Sequence, residues 1–310
     1  MRLLITGGSG FLGRHVLTEA HRRGHECVAL ARSPEAAQVV AGLGAVPWPG
    51  DLDDDAGLSG VMAAAGCEAL VNLASLGFGH AAAIVAAAGQ AGLDRAVFIS
   101  TTAVNTTLAA RSKVVRLDAE QRIQDSGLKW TILRPTMIYG APGDRNLSRL
   151  LLLLGRTPVM PVPGGGGRLQ QPVHVADLAG AVLNAVQRPE TAGRIYDVAG
   201  PEPLTFATLL RESAAAAGRR PRLVPLPLTP VIAVTRCYER LARRCHCSAR
   251  IRAEQWQRLA EDKAFAIDDA VRDLDYAPRP FAEGIRAEAA ALGLGQPTPT
   301  PPTPTKRNDA

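Results

Sequence analysis

No uninterrupted apolar run in the 310 residues approaches the ~20 that a membrane span requires, so a bilayer-crossing helix is not expected. Cysteines are few and odd in number: Cys27, Cys67, Cys237, Cys245 and Cys247 give no paired framework, as in a reducing compartment. The first strand-like run begins at Arg2, leaving no room for a leader, and a cytoplasmic location is expected. Cys245-His246-Cys247 has ligand types but spacing too tight for the usual zinc loops, and no fourth partner is evident, so no metal is expected. Between residues 211 and 258, eleven arginines face only three acids, Glu212, Glu239 and Glu254. Few aromatics interleave there to stack bases, which argues against nucleic acid as the partner. The basic segment reads instead as a surface for an anionic substrate, a phosphorylated group or an acidic membrane face, or as a solvated arginine-rich side.

What is present is concentrated at the start. Leu3-Leu4-Ile5-Thr6 is an apolar strand, Gly7-Gly8-Ser9-Gly10 a turn, and Phe11-Leu12-Gly13 the opening of a helix whose Val16, Leu17 and Ala20 share one stripe. A helix that starts directly after such a turn presents free N–H groups and a positive dipole end to a pyrophosphate. Gly7 permits the tight turn, Gly10 lets a phosphate approach the backbone, and Gly13 packs the helix on the strand.

The pattern then repeats. Residues 26–31, 45–48, 69–73, 96–100 and 130–133 read as strands, separated by helical stretches at 34–43, 56–65, 81–91 and 112–125. Such alternation predicts an α/β fold, a Rossmann-type doubly wound parallel sheet. Beyond residue 135 it loosens into a Pro/Gly-rich stretch, an apolar helix at 147–154, the run Gly164-Gly165-Gly166-Gly167, strands at 171–175 and 194–198, and helices at 206–217, 230–244 and 253–261. We read 1–135 as the dinucleotide-binding core, 136–295 as a mixed region that completes the sheet and forms a smaller C-terminal substrate lobe, and the Pro/Thr-rich 296–310 as a disordered tail.

The end of the second strand selects the cofactor. An acid there would bind the 2′-hydroxyl of NAD, but the chain reads Ala29-Leu30-Ala31-Arg32-Ser33, with no acid until Glu35. Arg32 can stack on adenine and pair with a 2′-phosphate, helped by Ser33, so NADP is expected in preference to NAD. Gly50-Asp51-Leu52 follows the third strand, where Asp51 can accept from the adenine amino group. After the fourth strand, Leu73, Ala74 and Ser75 let the nicotinamide half pass close to the backbone.

Thr6-Gly7-x-x-Gly10-x-x-Gly13, Gly50-Asp51-Leu52, Asn72-Leu73-Ala74, Phe98-Ile99-Ser100-Thr101-Thr102 and Leu133-Arg134-Pro135-x-x-x-Tyr139-Gly140 together resemble the short-chain dehydrogenase/reductase superfamily, in the extended or atypical branch that includes nucleotide-sugar epimerases and dehydratases. The likeness continues through Val173-His174-Val175-Ala176-Asp177-Leu178, Tyr196-Asp197-Val198-Ala199-Gly200 and Leu274-Asp275-Tyr276-Ala277-Pro278, covering nearly all of 1–290. It implies cofactor contacts from Thr6, Gly7, Gly10, Phe11, Leu12, Gly13, Arg32, Ser33, Asp51, Leu52, Leu73, Ala74, Ser75 and Pro135.

One departure stands out. Catalytic members carry a Tyr four residues before a Lys on the helix after strand 5; the Tyr moves the proton that accompanies hydride transfer. Counting back from Glu120, family spacing places Arg116 at the Lys and Ser112 at the Tyr; with Lys113 as the Lys, Ala109 takes the Tyr position. Neither register supplies a Tyr, and Tyr139, Tyr196, Tyr238 and Tyr276 all lie elsewhere.

Thr101 and Thr102 then remain to hold a substrate oxygen and Arg116 or Lys113 a ribose, with Lys113, His80 or water as the proton source; Tyr139 reads as a positioning or packing residue, with replacement acid as the alternative. His174 reads as structural, while Asp144-Arg145-Asn146 and Gln170-Gln171 are candidate readers of substrate polar groups. The apolar and arginine-rich stretch 225–244 reads as a lid over a greasy anionic ligand, a helix resting on a membrane surface, or an ordinary packed helix. The leading expectation is an NADP(H)-dependent oxidoreductase with a non-standard proton donor and a small-molecule substrate. The alternatives are a non-catalytic NADPH-binding sensor or scaffold and, weakened by the same missing Tyr, a nucleotide-sugar epimerase or dehydratase. A homo-oligomer and peripheral membrane contact both stay open.

Overall fold

The structure, a computed structural model, describes residues 1–108, 110–144, 146–244 and 253–295. Ala109, Arg145, the Cys245-His246-Cys247 cluster and the 296–310 tail lie outside the described residues.

The first half alternates strand and helix: β1 (Arg2–Thr6), α1 (Phe11–Arg22), β2 (Glu26–Ala31), α2 (Pro34–Ala41), β3 (Val46–Pro49), α3 (Asp55–Ala64), β4 (Ala69–Asn72), α4 (Ala81–Gln90), β5 (Arg95–Ile99), α5 (Arg111–Gln124) and β6 (Lys129–Pro135). The second half is less regular: β7 (Ile138–Tyr139), α6 (Leu147–Leu154), β8 (Val159–Pro163), β9 (Leu169–Gln170), β10 (Val173–His174), α7 (Val175–Gln187), β11 (Arg194–Val198), β12 (Leu204–Thr205), α8 (Phe206–Ala216), β13 (Arg222–Leu226), α9 (Leu228–Arg244), α10 (Ala253–Leu259), α11 (Asp268–Leu274) and α12 (Phe281–Ala291).

Seven strands form one parallel sheet in the order β11-β6-β5-β4-β1-β2-β3. Successive residues of a strand point to opposite faces, and β1 shows the consequence. Leu3 and Ile5 join Val16, Leu17 and Val182 on one side, and Leu4 joins Leu58, Met62 and Ile84 on the other. Both faces are buried, as the near-continuous apolar strands require. Chain order reverses between β1 and β4, and the crevice beyond their C-terminal ends is where such folds hold ligands. The smaller core beyond the sheet packs Tyr139, Leu147, Leu151 and Leu209 against Phe281 and Ile285.

The expected strand over 171–175 is corrected. Only Val173 and His174 pair, with Ile138 and Tyr139. His174 Nδ1 accepts from the Ala176 amide at 3.2 Å, starting α7 at Val175. That cap ends the extended segment early, because it gives a first-turn N–H its partner.

Candidate functional site

The glycine turn folds as its spacing requires. Gly7 has φ +71°, and a Cβ on it would sit 2.8 Å from the Ala74 amide nitrogen, so only glycine lets β1 and the loop after β4 meet. A Cβ on Gly13 would overlap the Gly7 carbonyl oxygen. Gly10 precedes α1 without a side-chain cap, which leaves first-turn N–H groups for an anion. Arg14 Nε donates to the Ser9 carbonyl at 3.0 Å and braces the turn. Thr6 Oγ1 donates to Asn72 Oδ1 at 2.5 Å, and Asn72 Nδ2 to the Ala74 carbonyl at 3.1 Å, fixing the opposite wall of the crevice. These residues fit a dinucleotide pyrophosphate.

At the adenosine end Arg32 is exposed and has no hydrogen-bond or ion-pair partner among the described residues. Ser33 is committed elsewhere. Its Oγ accepts from the Ala36 amide at 3.2 Å, capping α2, and its hydrogen bond to Glu35 lowers that carboxyl's pKa. Asp51 Oδ1 accepts from the Asp53 amide at 3.2 Å and holds the turn after β3, while Leu52 packs on the core below. Ser75 caps the short 3₁₀ turn Leu76–Phe78 through the Gly77 amide, and Leu73 packs against the main core.

Beyond the ends of β5 and β6 lies a cleft of about 590 Å³ lined by Thr101, Thr102, Thr136, Asn146, Arg258 and Lys263, among others. Thr101 Oγ1 accepts from the Ala103 amide at 3.2 Å, and Thr102 Oγ1 donates to the Pro135 carbonyl at 3.3 Å. The far wall is segment 260–265. Glu261 accepts from both Thr106 and Thr107, Asp262 from the Leu169 amide, and Gln171 from the Phe265 amide. These bonds tie Lys263 to the threonine side of the cleft.

Several expected proton donors are drawn away. Lys113 Nζ donates to the Thr106 carbonyl at 2.5 Å. His80 Nε2 stands 3.6 Å from Asp53, which follows β3, and His80 does not line the threonine cleft. Tyr139 is only 1% exposed, packed against His174 and Phe281, and burial pushes its hydroxyl far above the neutral range. It packs in the core, in keeping with the packing role expected of it and not with the alternative of a replacement acid.

Glu120 is buried, accepts from Ser100 and is ion-paired with Arg134, which fixes the register of α5. One turn back, Arg116 lies against Gly77, its pKa lowered by burial and then by the charge of Arg258. Ser112, a further turn back, brings no phenol to the site.

Two loop expectations are also corrected. Both polar atoms of the Gln171 amide are used, Nε2 on the Gly200 carbonyl and Oε1 on Phe265, so it is a structural strut. Asp144 Oδ1 accepts from the Asn146 and Ser148 amides at the start of α6. Asn146 alone of that loop lines the cleft among the described residues.

Sequence reasoning passed over Lys263. Its amide donates to the Leu169 carbonyl at 2.9 Å, its ammonium has no hydrogen-bond partner among the described residues, and burial, then Arg258, hold its pKa below the ordinary value while Glu261 opposes them. Its rarity was a signal: the chain has four lysines, Lys113, Lys129, Lys263 and Lys306, in a background of arginine.

The model of the NAD(P)H-binding family matches residues 7–189, from the glycine turn to the end of α7. The chain belongs to this family. As a member of it, the chain is 31% identical to the 4-hydroxy-2-methyl-3-oxo-4-farnesyl-3,4-dihydroquinoline-1-oxide ketoreductase of Stigmatella aurantiaca, over 90% of this chain and 92% of that protein. It is 29% identical to the ceramide reductase of Caulobacter vibrioides, over 72% and 73% of the two chains. Among solved structures, gox2253 shares the fold with a TM-score of 0.75 at 23% identity, over 94% and 97% of the two chains. The UDP-glucose 4-epimerase of Thermotoga maritima shares it with a TM-score of 0.72 at 15% identity, over 94% and 99%. This family member therefore pairs a glycine turn shaped for a dinucleotide with a helix α5 that contains no Tyr.

Proposed function

We propose that the chain is an NADPH-dependent reductase of a ketone carried by a largely apolar molecule, with Lys263 as proton donor. The observation that carries this reading is the cleft shared by Thr101, Thr102 and Lys263 at the C-terminal ends of β5 and β6. NADPH, when bound, supplies a hydride to a carbonyl carbon. The oxygen needs a proton and a hydrogen-bond donor, and the Thr101 hydroxyl, which only accepts from the Ala103 amide, and the Lys263 ammonium are the groups at hand, while Thr102 is held by the Pro135 carbonyl. A lysine whose pKa is lowered by burial releases its proton more readily and regains one from solvent. Arg116 keeps its charge throughout the neutral range, so it suits holding a ribose hydroxyl and not proton transfer. The unpartnered Arg32 favours NADP over NAD through charge-assisted bonds to the 2′-phosphate. The names of the quinoline-oxide ketoreductase and the ceramide reductase point to substrates with long apolar chains.

The test is NADPH oxidation followed by absorbance, with long-chain 3-ketolipids and prenylated cyclic ketones as substrates. Turnover with NADPH, weaker with NADH and lost in Lys263→Met, supports the reading. Tight NADPH binding without turnover across the set would sink it and favour the sensor or scaffold, for which the missing Tyr is the motive. A nucleotide-sugar epimerase would instead interconvert UDP-hexoses, a reaction whose usual proton carrier is the absent Tyr.

A further inference from the structure

Helix α9 has three faces. Thr235 and Ala242 are buried toward the protein, where Thr235 Oγ1 accepts from Trp256 Nε1 at 2.9 Å. The only acid of the helix, Glu239, turns the same way and accepts from the Ala253 amide at 3.0 Å, capping α10. A second face exposes Val234, Cys237, Tyr238 and Leu241, spaced i, i+3, i+4, i+7 as one helical stripe. Val234 is 70% exposed, Leu241 55% and Tyr238 43%, a cluster of large apolar side chains in water. Along one edge of that stripe run Arg236, Arg240 and Arg244, all exposed and four residues apart. A hollow of about 450 Å³ between stripe and edge is lined by Cys237, Leu241, Arg240 and Arg244.

We propose that α9 is an interfacial helix that seats this protein on an anionic phospholipid surface. Its stripe enters the acyl boundary, and Arg236, Arg240 and Arg244 bind lipid phosphates. Charge decides the occupant. An apolar stripe flanked by arginines, with its one acid turned inward, complements the headgroup–acyl boundary of an anionic leaflet, where each arginine near the surface adds to binding. A second copy would bring the same arginines against themselves, which disfavours a self-pair. Among the described residues no helix is long and apolar enough to cross a membrane, so the contact is one that lies on the surface. The seat also has a route inward: α9 packs on α10, whose end carries Arg258 and runs on into Lys263, both lining the cleft. The inference stands apart from the reductase reading, because it concerns where the protein sits and not what it reduces.

The test is co-sedimentation of the full chain with vesicles of phosphatidylglycerol and phosphatidylcholine, against phosphatidylcholine alone. Binding should prefer the anionic vesicles and weaken as salt rises. Val234→Asp with Leu241→Asp, and separately Arg240→Glu with Arg244→Glu, should each lower it about ten-fold or more. Unchanged NADPH affinity, helical circular dichroism and thermal midpoint in both pairs show that both halves of the chain fold. As a second readout, Tyr238→Trp emission should shift to the blue on anionic vesicles and be quenched by brominated acyl chains. No preference for anionic vesicles, or full binding by the aspartate pair, overturns the proposal. So does a dimer in sedimentation velocity that the aspartate pair dissolves, which would make the stripe an interface between copies.

Discussion

The dinucleotide crevice and the threonine-lined cleft share the C-terminal edge of one sheet and are built in opposite ways. The crevice is local: one turn from Thr6 to Gly13 supplies most of it, and its critical contacts are backbone against backbone, as at Gly7 and Gly13. The cleft is assembled from afar, with Glu261 reaching the Thr107 amide across 154 positions. The first tolerates almost no change in geometry, while the second can be relined by replacing a few side chains. This difference lets a family member keep its cofactor turn while losing the Tyr that usually goes with it.

The comparison breaks most directly at Lys263. Lys263→Met should lower ketone turnover about 10²-fold or more, the usual worth of a positioned acid, while NADPH affinity from a fluorescence titration stays put. Equal turnover in the variant would leave the proton to water. At the other site Gly13→Ala should cost NADPH affinity about ten- to hundred-fold, because the added Cβ meets backbone that cannot give. Calorimetry that finds wild-type affinity there would show the turn to be more pliant than its geometry implies. Arg32→Ala sharpens the crevice further: NADPH affinity should fall about ten-fold or more, as for a charge-assisted bond, with NADH affinity unchanged. Equal losses for both cofactors would remove the argument for NADP.

The smallest effect belongs to the lobe that frames the cleft. Glu288 accepts from the Gly140 amide at 2.9 Å and from Ser148 Oγ at 2.6 Å. Its pKa is raised, by burial first and then by Asp144, whose Oδ2 is buried with no conventional partner. A carboxyl raised on folding binds its proton more tightly in the folded state, so stability is full below the ordinary value of 4.5 and declines as pH climbs toward the raised one. Glu288→Gln should flatten that decline, a slope of at most about 1.4 kcal/mol per pH unit, in urea denaturation at several pH values. An unaltered slope would place the pH dependence elsewhere.

Legibility followed the same division. Strand β2 and helix α6 stand at 26–31 and 147–154, where periodicity puts them, because burial of one face or both is written into neighbouring residues. The strand predicted over 171–175 shrank to a pair because His174 caps a helix, a choice between two local partners that apolar pattern does not register. Lys113 and His80 were sensible proton donors by position. Their side chains went to a carbonyl of the loop after β5 and to Asp53, contacts that depend on rotamers and loop paths.

By itself the sequence determined the alternating sheet, the nucleotide turn, an arginine, Arg32, in place of an acid after β2 and the absence of a Tyr from α5. Each is a matter of which residue stands next to which, read through periodicity and backbone sterics. Only the tertiary structure decided that Lys263 lines one cleft with Thr101 and Thr102, that Tyr139 is sealed in the lobe core and that α9 turns its acid inward and its apolar stripe out. Those outcomes depend on which distant surfaces meet, and side-chain burial is fixed only when they do.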